Sequence, residues 1–163
     1  MKLDLTTLTT ERQWRSATGF SKDKFELLLI DFQASYEVIY GKTIEQRTSE
    51  SPNLPTITSY DDLLFFTLFS LKSGLRYDLL GFVSGMDGSN AKRNQTLGLE
   101  VLKNALAKLA VLPKRNFETS QEFKEYFEQH KTLILDATEQ RVQRPQANDV
   151  QKTFYSGKKK HTQ

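Results

Sequence analysis

Ser89, Asn90, Lys92, Arg93 and Asn94 crowd hydrogen-bond donors and acceptors into one short stretch of the chain. Side chains of these types suit the reading and gripping of a nucleic acid. An arginine can make a bidentate contact to guanine and an asparagine to adenine, so Arg93 and Asn94 are candidate base readers, while Lys92 and Arg76 are candidate phosphate contacts. Ser89 and Asn90 are equally suited to capping a helix with no ligand present. A second basic feature lies near the end of the sequence. From Arg141 onward there are six basic residues, among them Lys158, Lys159 and Lys160, against the single acid Asp149. That stretch carries +5 of a chain whose net charge is +3, which leaves −2 for residues 1–140. A basic tail on a near-neutral body fits a polyanionic partner, and it also fits a solvated lysine run. The chain has no cysteine, so any metal would be held by carboxylates or histidines, and His130 and His161 stand isolated. No Ser/His/Asp arrangement, phosphate-cradling glycine loop or EF-hand spacing is present.

The polar cluster needs a helix to present it. A short helix over Arg76 to Val83, with Leu79, Leu80 and Phe82 directed inward, is followed by the turn Ser84-Gly85-Met86 and then, capped by Asp87, by a long helix from about Gly88 to Leu109. Leu97, Val101, Leu102, Leu106 and Leu109 recur at spacings that mark one buried face of the long helix, but its first turns are polar. A short helix, a glycine-containing turn and a second helix with a polar start is the layout of a helix-turn-helix, whose second helix enters the major groove. Upstream, Ser21 caps a helix carrying Phe25, Leu28, Leu29, Phe32, Tyr36 and Ile39 that ends near Gly41. Residues 42–58, with Pro52 and Pro55, read as a linker. Ser59 caps a further helix with Asp61 and Asp62 in its first turn, and the body of that helix, LLFFTLFSLK, is apolar almost all round, as at the centre of a bundle.

Downstream the period changes. Ser120 to His130 reads as a short amphipathic helix using Phe123, Tyr126 and Phe127. The apolar run Thr132 to Leu135, closed by Asp136, and the segment Glu139 to Gln143 then read as a strand pair, with a third strand starting near Lys159. The 163 residues, 18.8 kDa, leave room for one ordinary domain or a small domain plus part of another. Hydrophobic residues make up 37% and include 11 Phe, so a core can form despite a mean hydropathy of −0.55. No apolar run is long enough for a membrane span and no leader pattern opens the chain, so a cytoplasmic location is expected.

The segments TGFSKDKFELLL, DDLLFFTLFSLKSGLRYDLLGFVSG, LILDATEQRVQRP and FYSGKKKHT occur in the order seen in bacterial insertion-sequence transposases of the DDE superfamily, which the chain resembles over nearly its whole length. YSGKKKHT, following a strand that ends in Asp-x-Thr, is the most specific of these elements. The resemblance implies an N-terminal helix-turn-helix region ahead of an RNase H-like α/β catalytic domain that uses two Asp and one Glu to hold Mg²⁺. Asp136 matches the first of these acids, and Ala137 stands where Gly often follows it. Two-metal phosphoryl transfer is the chemistry implied. The second Asp and the Glu of the pattern find no match in the chain, and Glu139 and Asp149 are poor substitutes, so no strand transfer is expected of this polypeptide alone.

The expected fold is therefore mainly α, a helical bundle with a helix-turn-helix followed by an incomplete α/β RNase H-like fragment of two or three strands. The expected layout is an N-terminal helical segment over 1–41, a linker over 42–58, the helix-turn-helix domain over 59–112 and the start of a catalytic domain over 113–163. The expected function is binding of double-stranded DNA at transposon ends, either as a homodimer or with the catalytic part supplied by frameshifting or by a second chain. Alternatives are a small helix-turn-helix regulator, and a helical interaction domain with the Leu63 to Leu71 helix as a dimer surface.

Overall fold

Hydroxyl and carboxylate caps set where the helices begin. In the computed structural model, which describes residues 4–52, 55–112, 114, 116–129 and 132, a 3₁₀ turn over Leu5–Thr7 precedes α1 (Glu11–Thr18), α2 (Lys22–Tyr40), α3 (Ile44–Ser49), α4 (Tyr60–Ser73), α5 (Tyr77–Ser84), α6 (Gly88–Lys108) and α7 (Ser120–Tyr126). Ser21, Ser59 and Asp87 each accept a hydrogen bond from a backbone N–H of the helix they precede, as the sequence predicts. Gly41 and Gly74 close α2 and α4 in the left-handed conformation that glycine adopts without strain. Among the described residues there is no strand. The expected strands and Asp136 lie outside the described residues, apart from the exposed, non-helical Thr132. No helix among the described residues is long and apolar enough to cross a membrane.

Met1–Lys114 and Arg115–Gln163 are separate units. The first is one helical body, where the sequence suggests two helical segments joined by a linker. Helix α4 runs through its centre with Leu63, Leu64, Phe65, Phe66, Thr67 and Leu68 all buried. Helix α2 contributes Phe25, Leu28, Phe32 and Tyr36 to the same core, Trp14 of α1 packs on Phe25 at 5.1 Å, and Val101 and Leu102 of α6 complete it. The Leu63 to Leu68 side chains are thus spent inside one chain and cannot form a dimer surface; only Leu71 of that helix's apolar series is largely exposed. The stretch read as a linker contains α3. Thr43 and Gln46 form a reciprocal capping box at its start, and the N–H of Ile44, itself buried, donates to the Tyr60 hydroxyl at 3.1 Å. Pro52 and Pro55 bar a helix only in their own vicinity, and the residues ahead of them suffice for a short one.

Two further expectations change. In α5, Leu80 is fully buried but Leu79 and Phe82 are 55% and 80% exposed. With about 3.6 residues per turn, Leu80, Gly81 and Ser84 share the face packed on the bundle, which sends Leu79 and Phe82 to the opposite one. In α6 the buried face carries Ala91, Gly98, Val101, Leu102 and Ala105, with Leu97 and Leu106 at its margins and Leu109 exposed. Small residues seven apart let α6 lie close to α4, and at Gly98 a Cβ would run into the Thr67 side chain.

In the second unit, α7 is shorter than the sequence predicts. Phe117 sits among Phe123, Tyr126 and Phe127, with ring centroids 5.1, 5.4 and 5.8 Å away.

Candidate nucleic-acid interface

The α5–turn–α6 unit is held by close backbone approaches. Gly85 ends α5 with φ +72°, and the N–H of Met86 returns to the Gly81 carbonyl at 2.9 Å. A Cβ at Gly81 would lie 2.6 Å from the Met86 carbonyl oxygen and 2.9 Å from the Asp87 carbonyl carbon, backbone atoms that cannot step aside. Gly88 lies against Asp78, so the first turns of α5 and α6 are neighbours. Asp87 caps α6 by accepting from the Asn90 N–H at 2.8 Å, and these hydrogen bonds to its charged form hold its carboxyl below the usual range. Gln95 anchors the next turn, donating to the Ser70 hydroxyl at 3.0 Å.

From this frame the predicted side chains diverge. Ser89, Asn90, Lys92 and Arg93 are exposed and Ala91 is fully buried, so one side of the first turns faces solvent and the other faces the core. The Asn90 amide donates to Asp87 Oδ2 and accepts from the Arg93 guanidinium at 3.2 Å, a chain that orients both side chains from the cap. Asn94 is elsewhere. It is half-buried, donates to the Met86 sulfur at 3.4 Å, and lines a cleft with Ile44, Arg47 and Thr48 of α3. Arg76 is exposed at the N-cap of α5, where no side chain caps the helix, and it shares an open cleft with Ser89, Lys92 and the acidic Asp78. Ion pairs among the described residues are Glu11–Arg15, Lys22–Glu26 and Lys42–Glu50, and none involves Arg76, Lys92 or Arg93. Those three cations therefore present positive charge that no described acid neutralises.

The exposed side of α6 continues past the predicted cluster to Thr96, Glu100 and Lys103. Its polar recurrence every three or four residues from Ser89 is legible in the sequence once the apolar face is assigned. Helix α2 adds Tyr40, whose hydroxyl donates to Glu100 at 2.9 Å. Nothing in the sequence joins residues so far apart.

No protein-family model, no curated protein and no solved structure matches the chain.

Lys158, Lys159, Lys160 and Asp136 lie outside the described residues, and with them the site where Mg²⁺ is expected. Among the described residues no group of three or more acids or histidines is placed to hold a metal. What remains is a convex cationic ridge, formed by two adjoining helix starts and the outward side of α6.

Proposed function

We propose that the helical body binds duplex DNA, with α5 and α6 as a helix-turn-helix and the outward side of α6 in the major groove. The observation that carries this reading is the exposed set of Arg76, Ser89, Lys92 and Arg93, free of ion pairs with described acids, on two helix starts packed against each other. Cations placed in this way match phosphates, and a helix start presents its side chains to base edges first. Arg93 is the guanine reader. Lys92 and Arg76 hold phosphates, and the uncapped first turn of α5 offers backbone N–H groups to the same strand. Asn94, turned toward α3, supports the turn and does not read bases.

On the residues that resemble insertion-sequence transposases, the DNA is the terminal repeat of such an element and Asp136 is one acid of a Mg²⁺-dependent strand-transfer site. Titration of the chain with duplex DNA at two or more salt concentrations tests the binding. Replacing both Lys92 and Arg93 with Ala should weaken binding and reduce the log-log salt slope by about 2, close to 0.9 for each lost phosphate neutralisation. Unchanged affinity and slope in a folded double variant would rule this surface out.

A further inference from the structure

We infer that Glu100 reads a base edge, accepting a hydrogen bond from the exocyclic amine of a cytosine, and that Tyr40 is its positioning residue. This inference rests on the DNA-binding reading and extends it to sequence preference.

Arg93 and Glu100 are seven residues apart on one straight helix. They therefore share its outward side and lie about 10 Å apart along the axis, at about 1.5 Å per residue. A single shelf runs between them, lined by Tyr40, Lys92, Arg93, Thr96, Leu97 and Glu100. The shelf has an apolar base in Leu97 and an aromatic edge in Tyr40, so a base edge meets a shaped surface there.

The carboxylate is not a freely rotating surface group. Its Oε2 accepts from the Tyr40 hydroxyl at 2.9 Å. The Tyr40 ring is itself clamped, with the Arg47 guanidinium 4.0 Å above its centroid and the Tyr36 ring 4.8 Å away. Burial and the Glu100 contact push the Tyr40 hydroxyl up to about 12, so it stays a donor at neutral pH. Glu100 makes no ion pair with any described residue, although Arg93 and Lys103 lie on the same side of α6. One oxygen is held by Tyr40 and the other faces outward.

A carboxylate set among cations on a DNA-facing surface repels phosphates, so it contributes only where it meets a donor. In the major groove, cytosine N4 is the donor that Glu and Asp recognise. Recognition-helix residues three or four apart read successive base pairs, so Glu100 meets a pair two or three steps from the guanine read by Arg93.

The test is selection of bound duplexes from a randomised pool, run with the unmodified chain and with Arg93→Ala, Glu100→Ala, Glu100→Gln and Tyr40→Phe, each checked for its thermal transition. The unmodified chain should show a guanine and, two or three pairs away, a cytosine preferred about fivefold or more. Glu100→Ala should abolish the cytosine preference and leave the guanine intact. Glu100→Gln should shift the preferred base to adenine, the partner of a glutamine amide, which a merely structural hydrogen bond to Tyr40 would not do. Tyr40→Phe should reduce the cytosine preference while the guanine is retained. If the Glu100 variants select the same motif as the unmodified chain, the inference is overturned even though Arg93→Ala alters the guanine position. If the unmodified chain retains no duplex at all, the DNA-binding reading itself fails, and that is visible before any variant is compared.

Discussion

Tyr60 illustrates how single side chains tie this bundle together. Its ring is buried against Tyr36 at 5.3 Å, and its hydroxyl both accepts from the Ile44 N–H and donates to Glu37 Oε1 at 3.0 Å, linking α4 to α3 and α2. Tyr60→Phe removes two hydrogen bonds and leaves the first N–H of α3 unmet, so urea unfolding should show a loss of about 1–3 kcal/mol. The same hydroxyl has a pH signature. Burial pushes Tyr60, like Tyr40, up to about 12 from an ordinary 10. The folded state therefore holds these protons more tightly than the unfolded chain does. Their contribution to stability is complete below pH 10 and is lost as pH rises toward 12. Chemical denaturation across pH 9 to 12 should show a steeper decline for the unmodified chain than for the Tyr40→Phe, Tyr60→Phe pair. Parallel curves would contradict the raised values.

Among the elements, α5 carries the sharpest contrast. Its eight residues span little more than two turns, too few for a periodic pattern to assign a buried face, and Leu79, Leu80 and Phe82 are equivalent by hydropathy. Packing separates them, because Gly81 and Ser84 flank Leu80 on the side that meets the bundle. Leu80→Ala should cost about 2–5 kcal/mol through the cavity it leaves, whereas Phe82→Ser should change stability by only about 0.5 kcal/mol or less. Equal losses on thermal or urea unfolding would mean that Phe82 is covered in solution. Helix α3 makes a related point. Its capping box is written in Thr43 and Gln46, but six helical residues gain too little from local hydrogen bonds to persist alone. It is the burial of Ile44 and the bond from Tyr60 that hold α3 in place.

At the scale of the whole molecule, the first unit draws its core from α1, α2, α3, α4 and α6, all within residues 1–114. A polypeptide of those residues should fold alone, with a thermal midpoint within a few degrees of the full chain by circular dichroism. A lower midpoint or a broadened transition would show that residues 115–163 contribute to that core. The sequence alone settled where most helices start and stop, because caps such as Ser21, Ser59 and Asp87 and the terminating Gly41 and Gly74 act within a few residues of themselves. It also marked the exposed polar start of α6, since Ser89, Lys92 and Arg93 break an otherwise apolar periodicity. Tertiary structure alone decided that the segments on either side of residues 42–58 share one core, that Asn94 faces α3, and that Tyr40 meets Glu100 across sixty positions. Those outcomes follow from helix faces competing for a limited buried volume, in which small residues such as Gly98 admit close approach and larger ones are displaced outward.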